Sequence, residues 1–506
     1  MMQMKNLLFA ALCLFASKTL SAQVDSLALR YAGTITAEEL HQHLTILASD
    51  AYMGRDTGKE GQKMAATYLK SEFVQAGIPP VPAPDPSVIT EGYFQPYDLI
   101  EDKAGSIAIE GGGRMLTYKK ELVYFNEVLT GDVPITEVLY LGDAQKLPKQ
   151  GITGRAVLVD ASGIGQGSDV MALLRKRLDV VRSGNPSLIL ISVPALSTVM
   201  DGMHLPGTSL RLADQVKNAT TAGSSAQMIM VDEAAMSTLL QSMNMAKLAR
   251  KRKARTIPLV CTVRATPGTK RITAENVLAF IEGTDKKDEI VVITAHYDHI
   301  GVENGVVYNG ADDDGTGTVA LIEIAEAFAK AKAEGHGPRR SVLVMPVSGE
   351  EKGLLGSRYY SDHPVFPLEN TVADLNIDMI GRTDSAHATS APYVYIIGSD
   401  RLSTELHAAN ERANTNYAKL DLDYRYNAES DPNRFYYRSD HYNFARKGVP
   451  SIFYFSGVHE DYHQPGDDVE KIQFDLLHQR ALLVFHTAWI LSGLENRPAV
   501  DRPMKP

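Results

Sequence analysis

Apolar residues at helical spacing mark residues 37–47 and 60–76 as amphipathic helices, the second ended by Gly77 and Pro79-Pro80. A proline-rich stretch, 79–86, follows. From about Leu122 the pattern changes to short β-type runs separated by Gly and Asp turns: 138–141, 156–160, 188–193 and 227–231, with helical stretches between some of them. From Asn276 onward strands and helices alternate, which predicts an α/β fold with a mostly parallel central sheet covered by helices. The change of texture predicts a domain inserted at 122–262, interrupting a larger domain built from 23–121 and 263–506.

Composition widens the picture only modestly. The chain has 506 residues, 44% hydrophobic and 22% charged, enough to build a large core or two units. Its net charge of −10 argues against nucleic acid as a partner, since phosphate binding needs a basic surface. The cluster Arg250 to Lys253 with Arg255 reads as a solvated face or loop. Residues 1–22 read as an export signal, with Lys5 ahead of an apolar run at 7–16 and Ser21-Ala22 before the cut. Cys13 is a poor lipoprotein cysteine because Leu12 precedes it. No later stretch reaches the roughly 18 apolar residues of a membrane span. The expected product is an exported protein, periplasmic or secreted, whose one remaining cysteine, Cys261, is a buried thiol that forms no internal disulfide.

The candidate chemistry lies after Asn276, at the ends of predicted strands. EIVVITA ends at His296-Tyr297-Asp298, VLVMPV ends in the Ser-Gly turn before Glu350-Glu351, and TVADLNI runs into Asp378. PSIFYF leads through a loop to His463. Asp312, Asp313 and Asp314 precede a strong helix at 319–333. Binding sites in open α/β sheets form outside the carboxyl ends of strands, so these residues are expected in one crevice.

Two imidazoles, one aspartate of the triplet, one glutamate of the pair and Asp378 form an N/O set that suits zinc better than calcium. Five protein ligands exceed the needs of one open catalytic zinc and suit two ions sharing a carboxylate and a water. Asp298, two residues after His296, is placed to hold the second ring nitrogen. Paired carboxylates can divide labour, one ligating and one moving protons.

The ordered set His296-Tyr297-Asp298, Asn309 to Gly315, Ser348-Gly349-Glu350-Glu351, Asn376 to Met379 and Tyr462-His463 resembles the co-catalytic zinc aminopeptidases. These comprise exported bacterial leucine-type enzymes and their relatives, the glutamate carboxypeptidases and glutaminyl cyclases. The resemblance covers about 34–120 and 266–495. It implies a three-layer α/β/α sandwich of the zinc-exopeptidase type and two zinc ions per chain. His296, Asp313 and Asp378 would hold one metal side, with Asp313 bridging, and Glu351 and His463 would complete the other. It selects the middle aspartate, which spacing leaves open. It also implies Glu350 as general base, Asp298 as the residue orienting His296, and a cis peptide at Asp313-Asp314. Residues 122–262 resemble a protease-associated insert, a lid or substrate-selecting module or a purely structural one.

The expected reaction is hydrolysis of N-terminal residues from peptides with a free N-terminus. Tyr462 is a candidate oxyanion donor. Asp440 and Asp467 are candidate supports, and His299 and His441 read as polar surface or as neighbours of ligands. The stretch 423–437 is a candidate side-chain pocket. Arg382 could instead meet a substrate carboxylate, as a carboxypeptidase requires. A glutaminyl cyclase and a non-catalytic binding protein on the same scaffold compete with the aminopeptidase reading too.

Overall fold

The structure is a computed structural model that describes residues 24–502, apart from 103–105, 125–128, 163–169, 195, 197–208, 216–225, 242, 251–252, 267 and 269. The export signal expected at 1–22 lies outside the described residues, as do Lys251 and Arg252. The chain divides into two compact units. The first comprises Met1–Gln95, Asn276–Val347 and Tyr360–Pro506; the second comprises Pro96–Glu275 and Ser348–Tyr359.

The first unit holds a seven-stranded mixed sheet. Its order is Ala279–Ile281, Arg340–Val347, Lys286–His296, Thr371–Ile377, Ser451–Phe455, Tyr393–Ile397 and Asp421–Asp423. The strands Arg340–Val347, Lys286–His296, Thr371–Ile377 and Ser451–Phe455 are mutually parallel, as the alternating pattern predicts. Antiparallel pairing occurs toward the margins, where Ala279–Ile281 meets Arg340–Val347 and Tyr393–Ile397 meets Ser451–Phe455.

Successive residues of Lys286–His296 point to opposite faces, and both faces are buried. Val291, Ile293 and Ala295 pack with Leu44, Ala320, Ile324, Leu477 and Val484 from the helices Ala37–Leu47, Gly317–Ala333 and Phe474–Gly493. Ile290 and Val292 pack with Leu343, Met345, Tyr360 and Phe444. Full burial of each large aliphatic side chain stabilises the unit by about 1.5–3 kcal/mol before chain entropy is counted. Helix Ala37–Leu47 starts on a reciprocal cap: Thr36 Oγ1 accepts from Glu39 N–H at 3.1 Å and donates to the Glu39 carboxylate at 2.8 Å.

The second unit holds an eight-stranded sheet of order Arg114–Leu116, Ser106–Gly111, Arg255–Thr266, Gly131–Tyr140, Ala156–Asp160, Leu188–Val193, Gln227–Asp232 and Leu122–Tyr124. Gly131–Tyr140, Ala156–Asp160, Leu188–Val193 and Gln227–Asp232 form a parallel run. Ser106–Gly111 pairs antiparallel with Cys261–Thr266, so this sheet recruits residues ahead of the texture change at Leu122. Cys261 is buried, and that burial pushes its thiol up to about 11. The turn Ser348–Tyr359 belongs here because Tyr97 Oη donates to the Ser348 carbonyl at 2.8 Å and Leu355 packs with Tyr97, Leu99 and Leu212. Among the described residues no helix is long and apolar enough to cross a membrane.

Candidate metal centre

Parallel register brings the functional strand ends of the first unit level with one another. Thr294 stands opposite Asn376, His296 opposite Val347, and Ile377 opposite Tyr454. His296 is thereby delivered beside Asp378, the residue after Ile377, with Nε2 3.6 Å from Asp378 Oδ1. The segment Ala311–Thr316 enters the same corner and brings Asp313 Oδ1 to 3.2 Å from His296 Nε2. The other oxygen of Asp313 faces His463 Nε2 at 3.1 Å and His299 Nδ1 at 3.9 Å. One carboxylate therefore stands between imidazoles on its two oxygens. Burial works to raise the Asp313 carboxyl, but the imidazoles of His296 and His463 outweigh it and hold the group well below the usual range.

The corner is fixed by the aspartates on either side. Asp314 accepts from His296 N–H at 3.2 Å, Met379 N–H at 3.0 Å and Gly317 N–H at 2.9 Å, linking two strand ends and the helix start. Its burial pushes the carboxyl well above the ordinary value. Asp312 accepts from Gly381 N–H at 2.6 Å and lies 3.2 Å from His459 Nε2. The peptide between Asp313 and Asp314 is cis. Asp467 clamps the segment from the other side, accepting from the N–H groups of Asp312 and Asp313 at 3.0 Å each. Burial and the nearby Asp312 push Asp467 up to about 6. Ser439 Oγ donates to Asp378 Oδ2 at 2.6 Å and itself accepts from Asn376 Nδ2 at 2.8 Å.

Asp298 holds the His296 ring through its main chain: the carbonyl lies 3.0 Å from Nδ1, whereas the nearer carboxylate oxygen is 3.9 Å away. That carboxylate instead accepts from Thr57 Oγ1 at 2.6 Å. Glu350 and Glu351 lie half-buried in the turn that continues directly from Val347, where the Glu350 carbonyl accepts from Gly353 and Leu354 N–H at 2.9 Å each. The Tyr462 ring stacks on His463 with centroids 3.9 Å apart. Arg382 is committed to acids, 3.3 Å from Asp461 and 3.4 Å from Glu460.

His299 and His441, expected as polar surface or as ligand neighbours, are not surface residues; both are fully buried. His441 stacks on Phe453, and desolvation lowers it to about 3. Asp440 is buried as well. Sequence reasoning missed His459 and Arg55. Arg55 is 1% exposed and donates to the carbonyls of Tyr297, Asn309 and Gly310 at 2.8, 2.7 and 2.9 Å. No local pattern signals it, because three of its four carbonyl partners lie more than two hundred residues downstream, the fourth being that of Leu47.

The donor set fits a borderline divalent metal. Two ligand atoms about 2.0–2.1 Å from a tetrahedral zinc are about 3.3 Å apart, the spacing His296 and His463 keep from the two oxygens of Asp313. His296, Asp313 and Asp378 each offer one ligand atom within 4.8 Å of the others, and all three are buried. A buried, ionised carboxylate with imidazoles on both sides is costly to desolvate unless cations meet it.

The chain is 28% identical over 267 residues to a probable zinc metalloprotease of Pyrenophora tritici-repentis, covering 46% of this chain and 53% of the relative. It is 26% identical over 242 residues to aminopeptidase YwaD of Bacillus subtilis, covering 46% and 48%. The chain thus spans about half the length of the curated relatives it matches. An aminopeptidase structure from Aneurinibacillus sp. strain AM-1 aligns with a TM-score of 0.49 and 18% identity, covering 95% of this chain and 98% of that one. Residues 276–488, less than half of the chain, match the family model described as Peptidase family M28.

Proposed function

We propose that the protein is an exported zinc aminopeptidase that hydrolyses N-terminal residues from peptides. The observation that carries this reading is Asp313, a buried carboxylate with His296 on one oxygen and His463 on the other. In this reading His296, Asp313 and Asp378 hold one zinc, while Asp313, His463 and Glu351 hold a second. Glu351 is included on its motif and on its turn, which follows the strand end level with His296. When bound, the two ions supply Lewis acidity toward the scissile carbonyl and acidify the attacking water.

The chain's own residues do the rest. Glu350 takes a proton from the attacking water and returns it to the leaving amine. The Asp298 carbonyl fixes the tautomer of His296 with Nε2 turned toward Asp313 and Asp378. Ser439 holds Asp378 by one oxygen and leaves the other facing His296. Tyr462, stacked on His463, is a donor for the developing oxyanion. Residues 122–262 form the core of an inserted protease-associated-like module. The pairing of Arg382 with Asp461 and Glu460 removes the feature that most favoured a carboxypeptidase.

The test is expression of residues 23–506, metal analysis, and assay of aminoacyl amides beside carboxypeptidase and cyclisation substrates. The expected result is two zinc per chain with amide hydrolysis, and Glu350→Gln costing about 10²–10⁴-fold in rate with the metal retained. A chain that binds no metal, or whose rate survives Glu350→Gln, would overturn the reading.

A further inference from the structure

Most cations in this corner of the first unit are already committed. Arg382 meets Asp461 and Glu460, and Arg480 is buried and donates to the carbonyls of Tyr393, Ile380 and Arg382. Arg401 lies 3.9 Å over the Tyr436 ring and donates to the Asn427 carbonyl at 2.7 Å.

Arg438 differs. It is exposed, and its guanidinium has no carboxylate partner among the described residues. One Nη donates to Tyr462 Oη at 3.1 Å, and the group rests 5.0 Å over the Phe435 ring. One anchor and the residue that follows Arg438 lead into the candidate centre. The Tyr462 ring stacks on His463, and Ser439, the residue after Arg438, donates to Asp378 at 2.6 Å. An arginine held at one nitrogen and over one aromatic face keeps its remaining N–H groups for a ligand, and its planar fork matches a carboxylate. A guanidinium with no carboxylate partner beside the centre favours a substrate that carries a negative charge over its neutral isostere.

We infer that Arg438 is a specificity-determining residue that binds a carboxylate carried by the peptide substrate. This rests on the peptidase reading above. The carboxylate has three sources: an acidic first residue, an acidic second residue, or the C-terminus of a short peptide. In each case the guanidinium contributes a charge-assisted hydrogen bond that a neutral isostere forfeits.

The experiment uses the zinc-loaded chain and three pairs that differ by one charge: Glu- against Gln-anilide, Leu-Asp-amide against Leu-Asn-amide, and Leu-Ala against Leu-Ala-amide. For at least one pair, kcat/KM is expected to favour the acid by about tenfold, and Arg438→Gln to bring that ratio close to one. Arg438→Lys should restore part of it. The pair that responds identifies the source. Ratios that are flat for all three pairs, or that Arg438→Gln leaves unchanged, overturn the inference. Calorimetric binding of a reduced-amide Leu-Ala, Leu-Asp-amide and Glu-anilide series, each with its neutral isostere, separates the two claims. An acid preference in binding that Arg438→Gln abolishes, with no hydrolysis of any substrate, rejects the peptidase reading and keeps the carboxylate site. Equal binding of acid and neutral isosteres rejects the site.

Discussion

Both units place aspartates at the carboxyl ends of parallel strands, and the difference lies in what faces them. In the second unit Asp160 accepts from Tyr140 Oη at 2.9 Å and from the N–H and hydroxyl of Ser162 at 2.9 and 2.6 Å. Asp232 accepts from Ala234 and Ala235 N–H at 2.9 and 3.4 Å, starting the helix Glu233–Leu239. Those carboxylates are satisfied by N–H and hydroxyl donors, most of them from their own turns. In the first unit Asp313 and Asp378 meet imidazole nitrogens instead. Among the described residues the second unit contains no histidine. A strand end is therefore an address, and the donors brought to it decide whether an aspartate becomes a cap or a ligand.

The sharpest way to break this contrast is to neutralise one aspartate in each unit. Asp313→Asn is expected to lower amide hydrolysis by at least about 10³-fold and to release metal, read by steady-state rates and metal analysis. Asp160→Asn should leave rate and metal content as they are. Full activity in Asp313→Asn, or lost metal in Asp160→Asn, would end the comparison.

Support of a proposed ligand should matter less than the proposed ligand itself. Ser439→Ala removes the hydroxyl on Asp378 and is expected to weaken metal binding about 10–100-fold, measured by competition with a chelator. Asp232→Ala removes a helix cap and is expected to cost about 1 kcal/mol of stability, read as a lower denaturation midpoint with unchanged metal content.

The smallest effect concerns pH. Burial, then the neighbouring Glu323, raises Glu326 from 4.5 to about 7; Glu72 and Glu39 act in the same sense, and His43 opposes them. A carboxyl whose folded pKa exceeds its unfolded one contributes stability below about 4.5, and loses it as pH rises through about 7. His43, raised by its hydrogen bond to Glu323 against the opposing pull of burial, acts in the same direction. Glu326→Gln should therefore narrow the gap between denaturation midpoints at pH 5 and pH 8. An unchanged gap would show that this cluster of the first unit is as neutral as a surface.

The sequence made the strand ends legible because parallel strands buried on both faces are continuous apolar runs, and their last residue can be located by eye. His296, Asp378 and Glu350-Glu351 could be read that way, and His463 and the middle aspartate by resemblance. The supports were harder to see. Asp298 faces the second ring nitrogen of His296 with its carbonyl at 3.0 Å rather than with its carboxylate at 3.9 Å, a distinction set by backbone path rather than residue type. Ser106–Gly111 joins the second sheet through a pairing with residues about 155 positions away, which no window of local pattern contains. His459 and Arg55 are isolated polar residues in sequence, and only folding supplies their partners.

Arg55 has one further consequence, for inheritance. It lies outside the span 276–488, yet its guanidinium ties together the Tyr297, Asn309 and Gly310 carbonyls that frame the Asp312–Asp314 approach. A fragment trimmed to the family span would keep His296, Asp313, Asp378 and His463 while leaving those carbonyls without their donor. Exchanging that span between relatives would likewise transfer the chemistry without its brace. The part of this molecule that is recognisable by descent is smaller than the part that must travel together to work.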